Sequence, residues 1–180
     1  MSIIKKYFYV LICLIFLIVG CLFIVNHQSP DFYSYLIQDI SKRDRHFETI
    51  EKVKYQDNLY FIVYQDDQAQ SHLLYDQAQS HLLIYESVQN LWMNNYQLWG
   101  ESSSFKDIDT FNYADSHQAM IVVYGKNKQN ASQYSFVNDG KVYKKEMNDS
   151  YILDIYMLEG SSCHIADWTL YDQNHQMIQN

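Results

Sequence analysis

The sequence predicts an α+β protein: an N-terminal membrane anchor, one short helix and a curved antiparallel sheet of about six to eight strands. Three observations carry this. Residues Tyr7–Val25 contain no charged side chain. A stretch after Ser29-Pro30-Asp31 repeats apolar residues at helical spacing. Beyond it come short segments rich in Tyr, Val and Ile, joined by short polar turns.

The apolar run spans 19 residues, which as a helix reach ~28 Å, close to the ~30 Å hydrocarbon core of a bilayer. Lys5 and Lys6 precede it, and the next basic residue is Lys42. That asymmetry places the N-terminus in the cytoplasm and residues 26–180 outside the cell. Residues 1–28 then form the cytoplasmic end and anchor, and 29–180 one extracytoplasmic binding domain. Three kinds of tether stay open. The first is an uncleaved single-pass anchor. The second is a lipoprotein signal, because Ile18-Val19-Gly20-Cys21 resembles a lipobox and makes Cys21 a candidate lipidation site. Against it, Leu22-Phe23-Ile24-Val25 continue the apolar run. The third is a cleaved signal peptide, although such cores usually run ~7–15 residues.

The chain has 13 basic and 21 acidic residues. Lys5 and Lys6 lie before the anchor and every acid lies after it, so the outer part carries 11 basic against 21 acidic residues, a net −10. Nucleic acid is excluded as a partner, because phosphate binding needs a basic footprint. The charge either serves solubility alone or complements a basic protein surface. Cys13 and Cys21 fall in the anchor, which leaves Cys163 alone outside and rules out an internal disulfide there. Such a domain relies on its core, as surface proteins of Gram-positive bacteria do.

Ser29 suits a helix cap, Pro30 the first helical position and Asp31 the positive helix end. Phe32, Leu36 and Ile40 recur every fourth residue, so an amphipathic helix should run to about Lys42. The segment Ser41–Asp57 is polar, with one strand around Phe47–Val53. Strands follow at Asn58–Tyr64, His117–Tyr124, Ser132–Val137, Lys141–Met147, Tyr151–Glu159, Ile165–Tyr171 and Gln176–Ile178. Asp139-Gly140 is a strong hairpin signal between two of them. Short connections favour an antiparallel meander.

Alternation assigns faces. Leu59, Phe61 and Val63 oppose Tyr60, Ile62 and Tyr64. Tyr151, Leu153, Ile155 and Met157 oppose Ile152, Asp154, Tyr156 and Leu158. Asp167, Thr169 and Tyr171 oppose Ala166, Trp168 and Leu170. Several strands thus offer a second face of Tyr and Asp. Seventeen tyrosines in 180 residues fit either a sheet half covered by helix and loops or a partner-binding face, since Tyr joins an apolar body to a polar tip. The candidate partner-binding residues are Tyr60, Tyr64, Asp154, Tyr156, Asp167 and Tyr171.

Asp67–Leu74 reads DQAQSHLL, and Asp76–Leu83 repeats it letter for letter, nine residues on. Identity at polar positions marks a tandem duplication, not a solenoid, whose repeats are ~20–50 residues long. Nine is odd, so sliding a strand by one copy exchanges its faces. One copy should pair with Asn58–Tyr64 as Ser80–Ser87, leaving the other in a lengthened Asp66–Tyr75 loop; a longer hairpin using both is the alternative. The spacing of His72 and His81 comes from copying and does not signal a metal pair.

No Cys-x-x-Cys, His-Glu-x-x-His, phosphate-binding glycine loop or Gly-x-Ser-x-Gly elbow occurs. Asp115-Ser116-His117 holds triad residue types, but neighbours on a strand point to opposite faces. Cys163-His164 reads better as a packed thiol than a dyad. Asp107 and Asp109 could serve as acid and base, or hold calcium weakly, yet fit a solvated loop. The expectation is a binding module: no enzyme, no cofactor, no metal.

Ile121-Val122-Val123-Tyr124-Gly125, the Ser135–Lys141 hairpin and Tyr151-Ile152-Leu153-Asp154-Ile155-Tyr156, behind a lysine-led anchor and a short helix, resemble the TipC family of immunity proteins. The resemblance covers most of residues 30–180 and is architectural more than motif-level; the duplicated nonapeptide departs from it. It implies a membrane-tethered, outward-facing antidote to a type VII-secreted toxin that attacks lipid II. Such proteins bind their toxin through a concave sheet surface, which maps here onto the Tyr/Asp face. The implied partners are a secreted toxin with a basic surface and the membrane itself. The alternative is an envelope-anchored accessory protein with a structural or assembly role.

Overall fold

The computed structural model describes residues 12–21, 31–44, 47–66, 79–90, 93–104, 106–116, 118–158 and 162–178. Two helices and eleven strands lie within them: α1 (12–21), α2 (Phe32–Arg43), β1 (Phe47–Gln56), β2 (Leu59–Asp66), β3 (Ser80–Asn90), β4 (Met93–Ser104), β5 (Ile108–Ala114), β6 (Ala119–Lys126), β7 (Gln133–Asn138), β8 (Lys141–Glu146), β9 (Tyr151–Leu158), β10 (Ile165–Tyr171) and β11 (Met177–Ile178). The class is α+β. The single curved sheet is corrected: the strands form three antiparallel sheets, ordered β1-β2-β3-β4, β5-β6-β9 and β11-β10-β7-β8.

No helix among the described residues is long and apolar enough to cross a membrane. Of the run Tyr7–Val25, only α1 is described; its side chains from Leu14 to Val19 are exposed. The rest of the run lies outside the described residues, as do Ser29 and Pro30.

Asp31 caps α2, its Oδ1 accepting the Ser34 N–H at 2.7 Å. Asp31 therefore takes the role the sequence assigned to Ser29. Its side chain satisfies one of the amide donors that a helix start leaves open. Leu36 and Ile40 are fully buried against Ile62, Tyr64, Leu83 and Tyr85 of β2 and β3.

The three sheets stack. Leu59, Phe61 and Val63 of β2, with Leu82 and Ile84 of β3, pack on Met120, Val122 and Tyr124 of β6 and Leu153 of β9. The opposite sides of β6 and β9, through Ile121, Val123 and Ile152, pack on Tyr134 and Phe136 of β7 and Leu170 of β10. The order through the molecule is helix, first sheet, middle sheet, third sheet. This explains the near-continuous apolar run of β6, which is covered on both faces. It also bears out the alternation read for Leu59–Tyr64 and Tyr151–Leu158.

Two turns show why the hairpins close where they do. Asp139 and Gly140 take φ of 48° and 77°, and Asp57 and Asn58 take 51° and 64°. Both pairs bridge directly opposed residues, Asn138↔Lys141 and Gln56↔Leu59. Positive φ at both central positions is the turn that matches strand twist. In β10 the register shifts between Ala166 and Thr169, with Asp167 at φ 51°. That bulge puts Ile165 and Trp168 both inward, where strict alternation would oppose them. Ser80–Leu83 of the second copy open β3 as expected, Gln65 pairing with Ser80. The first copy lies outside the described residues.

Candidate functional site

The six residues expected on one Tyr/Asp face lie in three places. Tyr60 and Tyr64 point from β2 toward α2: Tyr60 stacks on Phe32 at 3.8 Å between ring centroids, and Tyr64 is buried against the His81 ring at 4.6 Å. Asp154 and Tyr156 lie between the middle and third sheets. Asp167 and Tyr171 belong to β10: Asp167 is exposed, and Tyr171 carries the Lys144 ammonium 5.7 Å above its ring. A single partner face built from these six is therefore corrected. The sequence gives each strand two faces but does not say that most of those faces are covered by another layer.

Asp154 is the hub of an internal polar knot. Tyr134 Oη donates to Oδ2 at 2.9 Å, while Lys145 Nζ at 2.5 Å and Lys54 Nζ at 3.2 Å share Oδ1. Tyr134 and Tyr156 hydroxyls meet at 2.5 Å. Burial alone would raise the Asp154 pKa, but the hydrogen bonds from Lys145, Tyr134 and Lys54 outweigh it and hold the carboxyl below its usual value. Tyr134 is pushed far upward, first by burial and then by its bond to Tyr156. This knot joins β1, β7, β8 and β9 and is internal architecture.

The surface that stays open lies beside α2. Tyr35, Asp39 and Arg43 line one flank of the helix: Tyr35 Oη donates to the Tyr96 carbonyl at 2.9 Å, Asp39 accepts Tyr85 Oη at 2.6 Å, and Arg43 stands 3.7 Å from Glu101. That flank faces β3 and β4. Tyr33 and Ile37, one turn apart, line the opposite flank, on the side of β1. Tyr33 is 56% exposed and Ile37 38%. Val53 and Tyr55 of β1 pair with Ile62 and Tyr60 and so share the helix-bearing face; they are 41% and 58% exposed. The result is an aromatic and aliphatic stripe along an edge strand. Sequence reading missed it, although Val53 and Tyr55 already alternate with Lys52 and Lys54.

At the C-terminal end of α2 lies a cleft of about 640 Å³ lined by Arg43, Asp44, Tyr64, His81, Glu101 and Ser102 among others. Asp44, Asp66 and His81 each aim a ligand-type atom into one cluster, all within 4.8 Å of one another. His81 thus meets carboxylates; His72 lies outside the described residues.

The remaining candidates are placed as follows. Asp115 accepts Tyr113 Oη at 2.9 Å and the Gln118 N–H at 2.8 Å; His117 lies outside the described residues. Cys163 Sγ donates to the Met120 carbonyl at 3.6 Å, and burial raises its pKa, which suits a packed thiol. His164 is exposed. Asp107 pairs with Lys128 at 3.4 Å, and Asp109 accepts the N–H of Thr110. Cys21 is the last described residue of α1 and is exposed.

No protein-family model matches the chain. No curated protein matches it either. Nor does any solved structure.

Proposed function

We propose that this chain is a membrane-tethered immunity protein whose outward-facing domain binds and occludes a secreted antibacterial toxin. The observation that carries the reading is the exposed stripe of Tyr33, Ile37, Val53 and Tyr55 beside α2. Aromatic side chains of this kind anchor protein interfaces, because they bury large area at little entropic cost. The stripe adjoins β1, which among the described residues is an edge strand of its sheet, and an edge can accept a strand from a partner. The net −10 of residues 26–180 favours a partner with a basic surface and speeds its encounter. The uncharged run behind Lys5 and Lys6 supplies the tether, and the lipobox-like Cys21 offers a lipid one. The resemblance to TipC-like proteins supplies the toxin class, one acting on lipid II.

The test is survival. The full chain is expressed in a sensitive strain challenged with a type VII-secreted, lipid II-attacking toxin. Wild type should protect, and Val53→Asp with Tyr55→Asp should lose protection at equal protein level. Unprotected wild-type cells would sink the immunity reading; full protection by the double variant would sink the stripe.

A further inference from the structure

We infer that Asp44, Asp66 and His81 bind a divalent transition-metal cation of the zinc, cobalt or manganese kind, tying the end of α2 to the open end of the β2–β3 hairpin. The argument starts with Asp66. Its side chain has no solvent exposure. Oδ1 is used, accepting the Gln79 N–H at 2.9 Å. Oδ2 is buried and has no hydrogen bond among the described residues, and the same holds for His81 Nε2. A buried carboxylate oxygen without a partner is costly, so it calls for a counter-charge.

The two atoms stand 3.1 Å apart. A protonated imidazole could neutralise Asp66, but its N–H would then be directed at Oδ2, and the two groups are not aligned as a hydrogen bond. Two ligands of one metal have the other geometry. Each points at a common ion, not at its neighbour, and ligand atoms ~2.0–2.2 Å from zinc stand roughly 3.0–3.5 Å apart. Asp44 supplies the third donor, within 4.8 Å of both. One imidazole and two carboxylates suit zinc, cobalt or manganese better than copper or a thiol-seeking ion.

Three further features agree. Asp44 is the C-cap of α2, its N–H donating to the Ile40 carbonyl at 2.8 Å, so the cation would sit at the negative end of the helix dipole. Arg43, which lines the cleft, is engaged by Asp39 at 2.7 Å and lies 3.7 Å from Glu101, and Glu101 adds negative charge to the cleft rim. Tyr64 stacks on His81 with 10° between ring planes, which fixes the imidazole in place, as metal-binding histidines require. The cleft leaves the outer side of the ion open to water or to a partner's donor group.

The full-length chain in detergent micelles is titrated with Zn²⁺ by calorimetry and with Co²⁺ by visible absorbance. One equivalent should bind, chelator should remove it, and the melting temperature should rise with metal. Asp66→Asn keeps the acceptor for Gln79, and His81→Phe keeps the ring on Tyr64; each should weaken binding at least tenfold. Asp44→Asn, at a half-buried helix end, should do the same and decides the matter if Asp66→Asn does not fold. The inference fails if wild type takes up neither ion at submillimolar concentration. It also fails if folded Asp44→Asn and His81→Phe bind as tightly as wild type, which would put the ion elsewhere. No toxin enters these measurements, so their outcome is independent of the immunity reading.

Discussion

Asp154 shows how one residue can tie three sheets together. It accepts from a tyrosine and two lysines while only 11% of its side chain is exposed. Replacing it by Ala leaves Tyr134 buried without its acceptor and two ammonium groups without their anion. The lysines are nearly half exposed and can turn to water, so the loss should be about 2 kcal/mol, below the full cost of a broken buried pair. Urea unfolding measures it. The pH dependence has a definite sign. The folded carboxyl titrates below the usual 3.8, so its contribution is complete above about pH 4 and disappears as pH falls through the depressed folded value. Wild type should lose more stability than Asp154→Ala on acidification from pH 5 to 3. Equal losses would mean that the knot contributes nothing.

The tyrosines follow the same pattern. Tyr85, Tyr35 and Tyr134 pack their rings between layers and hand their hydroxyls to Asp39, the Tyr96 carbonyl and Asp154. Layer contacts thus account for much of the tyrosine content that sequence alone left open between a covered sheet and a binding face.

At the scale of elements, β5 and β6 are tied by a close backbone approach. Gly125 lies opposite Ile108 at φ 134°, and an added Cβ there would run into the Asp107 carbonyl oxygen. Gly125→Ala combines that clash with a backbone conformation that side chains resist, and should cost about 3 kcal/mol or more. A melting temperature within a degree of wild type would refute this. The nonapeptide makes the opposite prediction. Deleting residues 67–75 restores one copy, leaves Asp66 and Ser80 unchanged, and shortens the 67–79 connection to a normal hairpin length. Loop closure then becomes easier by roughly 1 kcal/mol. The deletion should unfold at the same or a slightly higher denaturant concentration. A marked loss of stability would show that the first copy packs on the domain.

Strand faces were legible because period two needs only local sequence. Asp139-Gly140 marked its turn for the same reason. β4 escaped because its residues are mostly polar, with Tyr96 and Leu98 its main inward signal. As an edge strand it needs little more. The bulge at Asp167 and the Asp44–Asp66–His81 cluster were illegible, since both depend on register and on segments far apart in sequence.

For the whole molecule, three sheets in place of one follow from a question sequence patterns cannot answer: which apolar face meets which. β6 is the case in point. Its run Met120–Tyr124 was read as a strand, but being buried on both sides requires β2 and β3 above and β7 and β10 below. The remaining strands then fall into layers around it. The exposed stripe by α2 survives because no strand among the described residues lies outside the helix. At this scale the prediction is the survival assay described above, with Val53 and Tyr55 as its most informative positions.

The stacking has a kinetic consequence. Layers follow one another nearly in chain order: α2 and β1–β4, then β5 and β6, then β7 and β8. A chain emerging N-terminus first can form its opening meander from neighbours in sequence, the quick kind of contact. The middle layer must wait. β9 reaches β6 only after the β7–β8 hairpin has passed between them in sequence, and until then one edge of β6 lacks its partner strand. The rate of reaching the native state should therefore be set by the late arrival of β9 and then β10, and β6, which awaits β9 at its edge and β10 against its face, is the sticky strand an incompletely synthesised chain would expose.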